Sequence, residues 1–522
     1  MHLALRILDI QLAIFDLLSQ KRDLLSAILV CKDWQDAAER LLWKELPDLI
    51  PLLMLMPNDA WHVNKMHRSN LLPYSFVFTR QISEDDWFHV YRRAHLVRRI
   101  TFELLSHPPS LIDRVARCPP RQPLFLQVDK LIFRATSDSL HTRPIPARFL
   151  DIFYNSGAII DLVCYNISSF SLPDPHRLRA LGKVIIRWVP NHAESGLGDE
   201  ASCLAHAMSL IDALIACQPA SLSLTLSQTR FSASLIKRLY QCKPLRELTL
   251  EFDDSYDDSH CSVPCPAKAS LPNLHSLTIR EAETATCTAA AIVGACTTLA
   301  LLDVDFRNHG TGRHLMDLTT TIHSNCNAAT LRDVTICWEA WALHLAHLAP
   351  LTTAMNLEKL FLLGEGGAKS ALTDADYENL VSHWPRLQTL CIEVQKAVGR
   401  CTLATLGILA QCCHNIERIE LPLTDATVPD PQMTWSDTLP SPGPAKASGP
   451  AVQITFHVAT ETDTETMATF LLRLFPRLEE VDPGWMLDDI NGRQRWYEVG
   501  KRIKEMQRRS SAMDGQDHGH PP

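Results

Sequence analysis

A chain of 522 residues is long for a single hydrophobic core, so two or more units or one elongated fold are expected. Hydrophobic residues make up 46% and charged residues 21%, the balance of an ordinary water-soluble protein, and the apolar run from Leu49 to Met56 is far too short to span a bilayer. The net charge of -9 is mild and evenly spread, which excludes both the basic footprint of a nucleic-acid binder and a polyanionic tail.

Sixteen cysteines are scattered along the length rather than gathered in a small disulfide framework. Arg6, Asp9 and Asp16 interrupt the apolar N-terminus, so it fails as a secretory signal. Free thiols in a reducing compartment, cytoplasmic and/or nuclear, are the expectation.

Residues 1–46 carry three short amphipathic patterns. Ile10, Ile14, Leu17 and Leu18 recur at helical spacing, followed by Leu24, Leu25, Ile28 and Leu29, then by Trp34, Ala37, Ala38, Leu41 and Leu42. Asp23 and Asp33 stand where N-caps would satisfy the first free amides of the second and third helices. A bundle of about 35 residues cannot bury enough surface to stand alone. It must lean on the rest of the chain or on another protein.

The order of residues in this stretch resembles the F-box. Leu17-Leu18 precedes a polar turn, then come Asp23-Leu24-Leu25, Val30-Cys31-Lys32-Asp33-Trp34 and Leu42-Trp43; Ile7-Leu8-Asp9-Ile10 replaces the usual opening Leu-Pro. The resemblance implies docking on the Skp-type adaptor of a cullin-RING ubiquitin ligase, and through it on cullin. Ile14, Phe15, Leu18, Leu24, Leu25, Val30 and Trp34 would be the adaptor-binding side chains, exposed on an otherwise unsupported bundle. The alternative is a helical cap on a larger fold. What separates the two is whether the front helices keep an apolar face free.

Residues 47–95 read as a connector interrupted by Pro47, Pro51, Pro57 and Pro73, with a buried-looking stretch from Leu49 to Leu55. From 96 to 484 a phrase recurs, Leu-x-x-aliphatic-x-hydrophobic. Its clear copies open at Leu96, Leu245, Leu274, Leu299, Leu331, Leu357, Leu387 and Ile416, with a worn copy at Leu478. Weaker ones lie around Leu131, Leu162, Val184 and Leu222. The period of about 25 to 32 residues is that of leucine-rich repeats. Alternation makes a short strand with its apolar side inward, and segments such as Ala289 to Cys296 read as the returning helix. No single strand–helix unit buries both faces, so units must stack.

Cys242, Cys296 and Cys413 fall three positions before the residue that opens the next strand, with Cys217 and Cys326 slightly earlier. A small sulfur-bearing residue suits the tight buried end of a helix turning into a strand. Leu372-Thr373-Asp374 followed by Tyr377, Leu380 and Val381 resembles the strand-to-helix turn of the cysteine-containing class of these repeats, the class that most often follows an F-box. An array of paired helices would not place Thr and β-branched residues between the leucines. The expected fold class is α/β: a short N-terminal three-helix module, then a leucine-rich-repeat solenoid with a curved parallel sheet and outer helices. The combination resembles the large F-box families of mushroom-forming fungi.

The acidic stretch from Asp253 reads as a solvated insertion, since no Gly or terminal Glu completes a calcium loop. Prolines 429, 431, 440, 442, 444 and 450 make 424–451 a flexible insertion. Residues 485–522 read as a basic helix (Lys501, Arg502, Lys504, Arg508, Arg509) fraying into a polar tail. His260, Cys261 and Cys265 lack a second pair at zinc-finger distance, Cys412-Cys413-His414 is explained by the repeat register, and Glu339, His344 and His347 fall on a plausible helix without making a site. No nucleophile elbow, phosphate loop or dinucleotide fingerprint is present. No catalytic, cofactor or metal residues are expected. The chain reads as a substrate receptor of a ubiquitin ligase, or else as a leucine-rich-repeat interaction scaffold.

Overall fold

The computed structural model describes residues 7–18, 20–65, 74–103, 109–122, 124–134, 149, 152, 161–167, 182–188, 200–226, 237–252, 271–280, 285–306, 311–325, 329–428, 450–484 and 490–514. The chain forms two compact units, Met1–Thr249 and Leu250–Pro522.

The first unit opens with helices α1 (Leu8–Phe15), α2 (Lys21–Val30) and α3 (Lys32–Lys44). Phe15, Leu24, Ala27, Ala37 and Ala38 form their common core, with Leu8, Leu12, Ile28, Leu41 and Leu42 packed against it. The alanines leave room for close helix approach, and Phe15 meets Trp34 edge to face at 5.3 Å. Asp23 and Asp33 do not cap. The N-cap positions are Gln20 and Cys31, neither with a side-chain cap, and both aspartates sit within the first turn. Cys31 is the only residue between α2 and α3 and is fully extended, so α3 starts two residues earlier than a cap at Asp33 implies. The carboxylates still face the positive end of each helix.

Strand β1 (Glu45–Leu46) follows α3 without a break and pairs in parallel with β4 (Arg99–Glu103), Leu46 opposite Ile100. The Arg98 amide donates to the Lys44 carbonyl (2.9 Å), and Arg93 pairs with Glu39 (2.8 Å). The front module is thereby stitched to the first sheet.

Residues 47–95 are more than a connector. They hold a short helix Ile50–Leu53, an antiparallel hairpin of β2 (Trp61–Lys65) and β3 (Tyr74–Phe78), and a helix Phe88–Ala94. Leu49, Leu52, Leu53, Phe76, Trp87 and Val90 are buried. Pro51 lies in the first turn of its helix, where a missing amide hydrogen costs nothing. Arg80 ties this substructure together. It reaches Asp86 through both terminal nitrogens (2.7 and 2.8 Å) and Asp59 through Nε (2.8 Å).

Asp86 also accepts from the Ser83 amide and hydroxyl (2.7 and 2.9 Å). The Arg80 guanidinium foremost, and the Ser83 donors with it, hold the Asp86 carboxyl well below the usual range against the opposing effect of burial. A lowered carboxylate stabilises the fold above its unfolded pKa of about 4, and that contribution disappears as pH falls through the folded value. Asp86→Asn should therefore be clearly less stable than the parent at pH 7, with the gap narrowing below about pH 4. Urea unfolding at both pH values checks this, and a gap that stays constant would contradict it.

Strands β4, β5 (Lys130–Arg134), β6 (Asp161–Ile167), β7 (Lys183–Trp188) and β8 (Ser221–Leu226) pair in parallel, each with the next. Their register aligns Ile100, Leu131, Leu162, Val184 and Leu222 in one row, all buried. The weak copies of the repeat phrase are thus strands in register. β9 (Glu247–Phe252) contains the boundary between the units.

In the second unit β10 (Ser276–Arg280), β11 (Leu301–Phe306) and β12 (Asp333–Glu339) are neighbours in a parallel sheet; β13 (Ala342–Leu343) lies outside it. β14 (Lys359–Glu365) follows β12 in that sheet, β15 (Lys369–Ser370) pairs with β13, and β16 (Thr389–Glu393) follows β14. β17 (Lys396–Ala397) completes the small sheet, while β18 (Arg418–Leu421), β19 (Val452–Phe456) and β20 (Leu478–Pro483) complete the large one. Leu277, Leu302, Val334, Leu360, Leu390, Ile419, Ile454 and Val481 stand in one buried row across the large sheet. Helices such as Gly312–Asn325, Asp374–Val381 and Ala404–Cys412 return the chain between strands. This is the mixed α/β architecture of a repeat solenoid. The sequence reading had missed β19, which has no Leu-x-x leader because the chain enters it from the insertion. Residues 429–449 of that insertion, the acidic stretch at 253–270, Cys326 and the tail after 514 lie outside the described residues.

The cysteines at the helix-to-strand turns behave as expected. Cys217, Cys242, Cys296 and Cys413 are buried, and their thiols donate to the carbonyls of Ala213, Pro219, Ile292 and Trp384. Burial pushes the thiols of Cys217 and Cys242 up to about 11 and that of Cys413 to about 12, so they are packing groups rather than nucleophiles.

The turn at Thr373 is a capping box: its hydroxyl accepts from the Asp376 amide, and the Asp376 carboxylate accepts from the Thr373 amide. Asp374 reaches across to the next repeat, accepting from the Thr402 amide (2.8 Å) and from the hydroxyls of Thr402 (2.9 Å) and Thr405 (2.5 Å). Asp374→Ala leaves three donors unmatched and should cost about 2–3 kcal/mol in denaturant unfolding. A loss below about 0.5 kcal/mol would mean that water replaces the carboxylate.

The helix Ile490–Asp514 closes the second unit. It packs on β20 and on the helix Thr464–Leu474. Trp496 is fully buried, stacked on Phe456 with ring centroids 3.8 Å apart and planes 3° from parallel, and its indole N–H donates to the Val458 carbonyl (2.8 Å). Arg502 of the expected basic segment is paired with Glu465 (2.8 Å), and Gln507 donates to the Leu478 carbonyl (2.9 Å).

Candidate docking surface

α1 and α2 are apolar around most of their circumference, which a surface helix ordinarily is not. On α1, Leu8, Leu12 and Phe15 face the module core, while Ile10 and Ile14 face outward together with the flanking Ile7 and Leu17. On α2, Leu24, Ala27 and Ile28 face inward, and Leu25, Leu29 and Val30 face outward. Leu17 is 84% exposed, Leu29 85%, Val30 61% and Leu25 51%. Burying side chains of this kind is worth about 1.5–3 kcal/mol each, so covering the group would release on the order of 10 kcal/mol before the costs of association.

The adaptor-binding set named from the sequence divides accordingly. Ile14, Leu25 and Val30 are exposed; Leu18 and Trp34 are half-buried against the core; Phe15 and Leu24 are buried in it. The exposure expected of Phe15 and Leu24 is thus not found, because a three-helix module this small needs its aromatic ring and one leucine to hold itself together. Ile10, Leu17 and Leu29, which recur at helical spacing but were not in that set, are also exposed. Helical periodicity locates apolar positions, but on a helix apolar on two sides it does not say which side faces in.

Elsewhere the candidate chemistry resolves into structure. Glu339 ends β12, whereas His344 is the N-cap of the short helix Leu345–Leu348, so these residues do not share a helix. His347 accepts from the His344 amide (3.1 Å), and burial, with His344 beside it, lowers its pKa. Cys413 is buried while His414 is exposed. His260, Cys261 and Cys265 lie outside the described residues. A grouping that the sequence had not singled out brings donor atoms of Cys391, Glu393 and Glu420 within 4.8 Å of one another. Glu420 there already accepts from the Cys391 thiol (3.2 Å) and from Arg418 (3.1 Å), and meets the His457 ring (2.9 Å). Among the described residues no helix is long and apolar enough to cross a membrane.

Residues 8–46 match the F-box-like family model, a span that begins with α1 and ends with β1. No curated protein matches the chain. Among 41 matching chains of solved structure is the leucine-rich repeat-containing protein LegL7 from Legionella pneumophila, 15% identical, covering 59% of this chain and 84% of that one at a TM-score of 0.26. A score that low carries no argument, and the repeat architecture rests on the strand register described above. The front module is an F-box-like domain; behind it the chain alternates parallel strands with returning helices.

Proposed function

We propose that this chain is the substrate-recognition subunit of a Skp–cullin–F-box E3 ubiquitin ligase. The observation that carries the reading is the free apolar face of α1 and α2 within an F-box-like domain. A helix pair that served only as a solenoid cap would turn its apolar residues inward; this pair keeps Leu17, Leu25, Leu29 and Val30 in water. In this role the module docks a Skp-type adaptor and through it cullin, and the repeats hold the protein substrate. The chain makes no covalent intermediate. It raises the effective concentration of a substrate lysine near a ubiquitin-charged enzyme on the same scaffold. The cytoplasm or nucleus is where such an assembly would work, and the large fungal F-box/leucine-rich-repeat families are the group the chain resembles.

A non-catalytic repeat scaffold is the second reading, favoured by the pairing of β1 with β4, which makes the front module continuous with the first sheet. Co-expression with a Skp-type adaptor and size-exclusion chromatography separates the two. Co-elution supports the receptor; a folded chain running alone leaves the scaffold.

A further inference from the structure

Off the core row, the second unit buries polar groups that its sheet does not require. Strands alternate, so Cys391 and Glu393 on β16 and Glu420 on β18 point away from the row that holds Leu390 and Ile419. Cys391 and Glu420 are nonetheless buried, and Glu393 is half-buried beside them. The register puts Cys391 directly opposite Glu420, with Glu393 two residues further along the same face. A carboxylate is rarely buried without a strong reason. One donor atom from each of the three lies within 4.8 Å of the others, and among the described residues no other three such groups gather so closely.

We propose that Cys391, Glu393 and Glu420 bind a zinc ion, with water in the fourth position and with Arg418 and His457 as the outer groups that hold Glu420. The site is independent of the receptor reading.

The donor set selects the metal. Magnesium and calcium take oxygen alone, whereas a thiolate beside carboxylates suits zinc. At zinc distances of about 2.3 Å for sulfur and 2.0–2.2 Å for oxygen, neighbouring ligand atoms stand roughly 3.3–3.5 Å apart. The Cys391 thiol already lies 3.2 Å from Glu420 Oε2. Glu393, at the half-buried edge, closes the third side and marks the way in from solvent. As the zinc–sulfur bond forms, the thiol proton leaves to solvent. The three negative ligands then balance the two charges of zinc and the one of Arg418, which donates to Glu420 Oε2 at 3.1 Å.

The outer groups are built for the carboxylate. His457 follows β19, its side chain is 8% exposed, and its Nε2 meets Glu420 Oε1 at 2.9 Å. Its Nδ1 is buried and has no partner among the described residues, so Glu420 is the one polar contact of the ring there. Gly484 leaves the ring its place, since a Cβ at that position would overlap Nδ1 and Cε1. Donors that fix a ligand carboxylate from outside orient it for the metal. The ion ties β16 to β18 and, through His457, to the strand that the chain enters from the insertion.

The test uses the full chain, freed of metal with a chelator, and Co2+ as the probe. One equivalent is expected to bind with a thiolate-to-cobalt charge-transfer band in the near ultraviolet, and Zn2+ should remove the band by displacement. Cys391→Ser should lose the band. Glu393→Gln, a change of nearly equal volume at a half-buried position, should weaken cobalt binding about tenfold or more, and it decides the matter should Cys391→Ser fail to fold. His457→Ala should weaken binding about ten- to a hundredfold with the band retained, as befits a positioning residue. Cys261→Ser with Cys265→Ser, the other cysteines at a spacing zinc tolerates, should leave the affinity within about twofold. Absence of the band in the parent, its persistence in Cys391→Ser, its loss in the Cys261 and Cys265 double variant, or unaltered affinity in Glu393→Gln or His457→Ala overturns the proposal.

Discussion

Leu25→Asp or Leu29→Asp is expected to abolish adaptor co-elution while leaving the melting curve of the chain almost unchanged. Both side chains are exposed, at 51% and 85%, so neither holds the module together. Each substitution removes about 1.5–3 kcal/mol of apolar burial from the interface and adds the cost of desolvating a carboxylate. Several kcal/mol together weaken association by more than about a hundredfold. Phe15→Ala is the informative contrast. It empties the module core beside Trp34, so adaptor binding should be lost together with the folded signal of the front helices. If Leu25→Asp and Leu29→Asp both still co-elute with the adaptor, the outward face of α2 is not the interface.

Trp496→Ala should be the most destabilising single substitution in the second unit, by about 3–5 kcal/mol. The ring is fully buried, covers the face of Phe456 and satisfies the Val458 carbonyl. Its loss undocks the helix Ile490–Asp514 from β20, which exposes the sheet edge to other chains. Denaturant unfolding gives the energy, and limited proteolysis after the arginines of that helix gives the place. Trp496→Phe keeps most of the stack and loses only the hydrogen bond, so about 1 kcal/mol is expected. A Trp496→Ala chain that unfolds like the parent would mean that the helix contributes nothing to the unit.

The repeats were legible because their physics is local and periodic. A strand one side of which is buried must alternate, and Leu274 to Ile279 or Leu357 to Leu362 display that alternation within six residues. The hairpin of β2 and β3 was not legible, because Pro57 and Pro73 read as breaks and its pairing spans residues that local pattern does not connect. The C-terminal helix was read by its charges, whereas Trp496, Val499 and Ile503, all buried, decide where it packs. In the F-box-like module the apolar positions were legible and their facing was not. Phe15 and Leu29 have equal claims in sequence; only tertiary packing sends one inside and the other into water.

The direct passage from α3 into β1, with Lys44 ending one and Glu45 beginning the other, also fixes a phase. A hinge would let the front module swing through a continuum of headings. A strand pinned to β4 admits only steps: one residue more or fewer at that junction turns Leu46 from the inner side to the outer, and two restore it after a translation of about 6.6 Å. If the chain is the receptor proposed above, such indexing would make the front module a gauge, setting the choice of substrate lysine by alignment rather than by search.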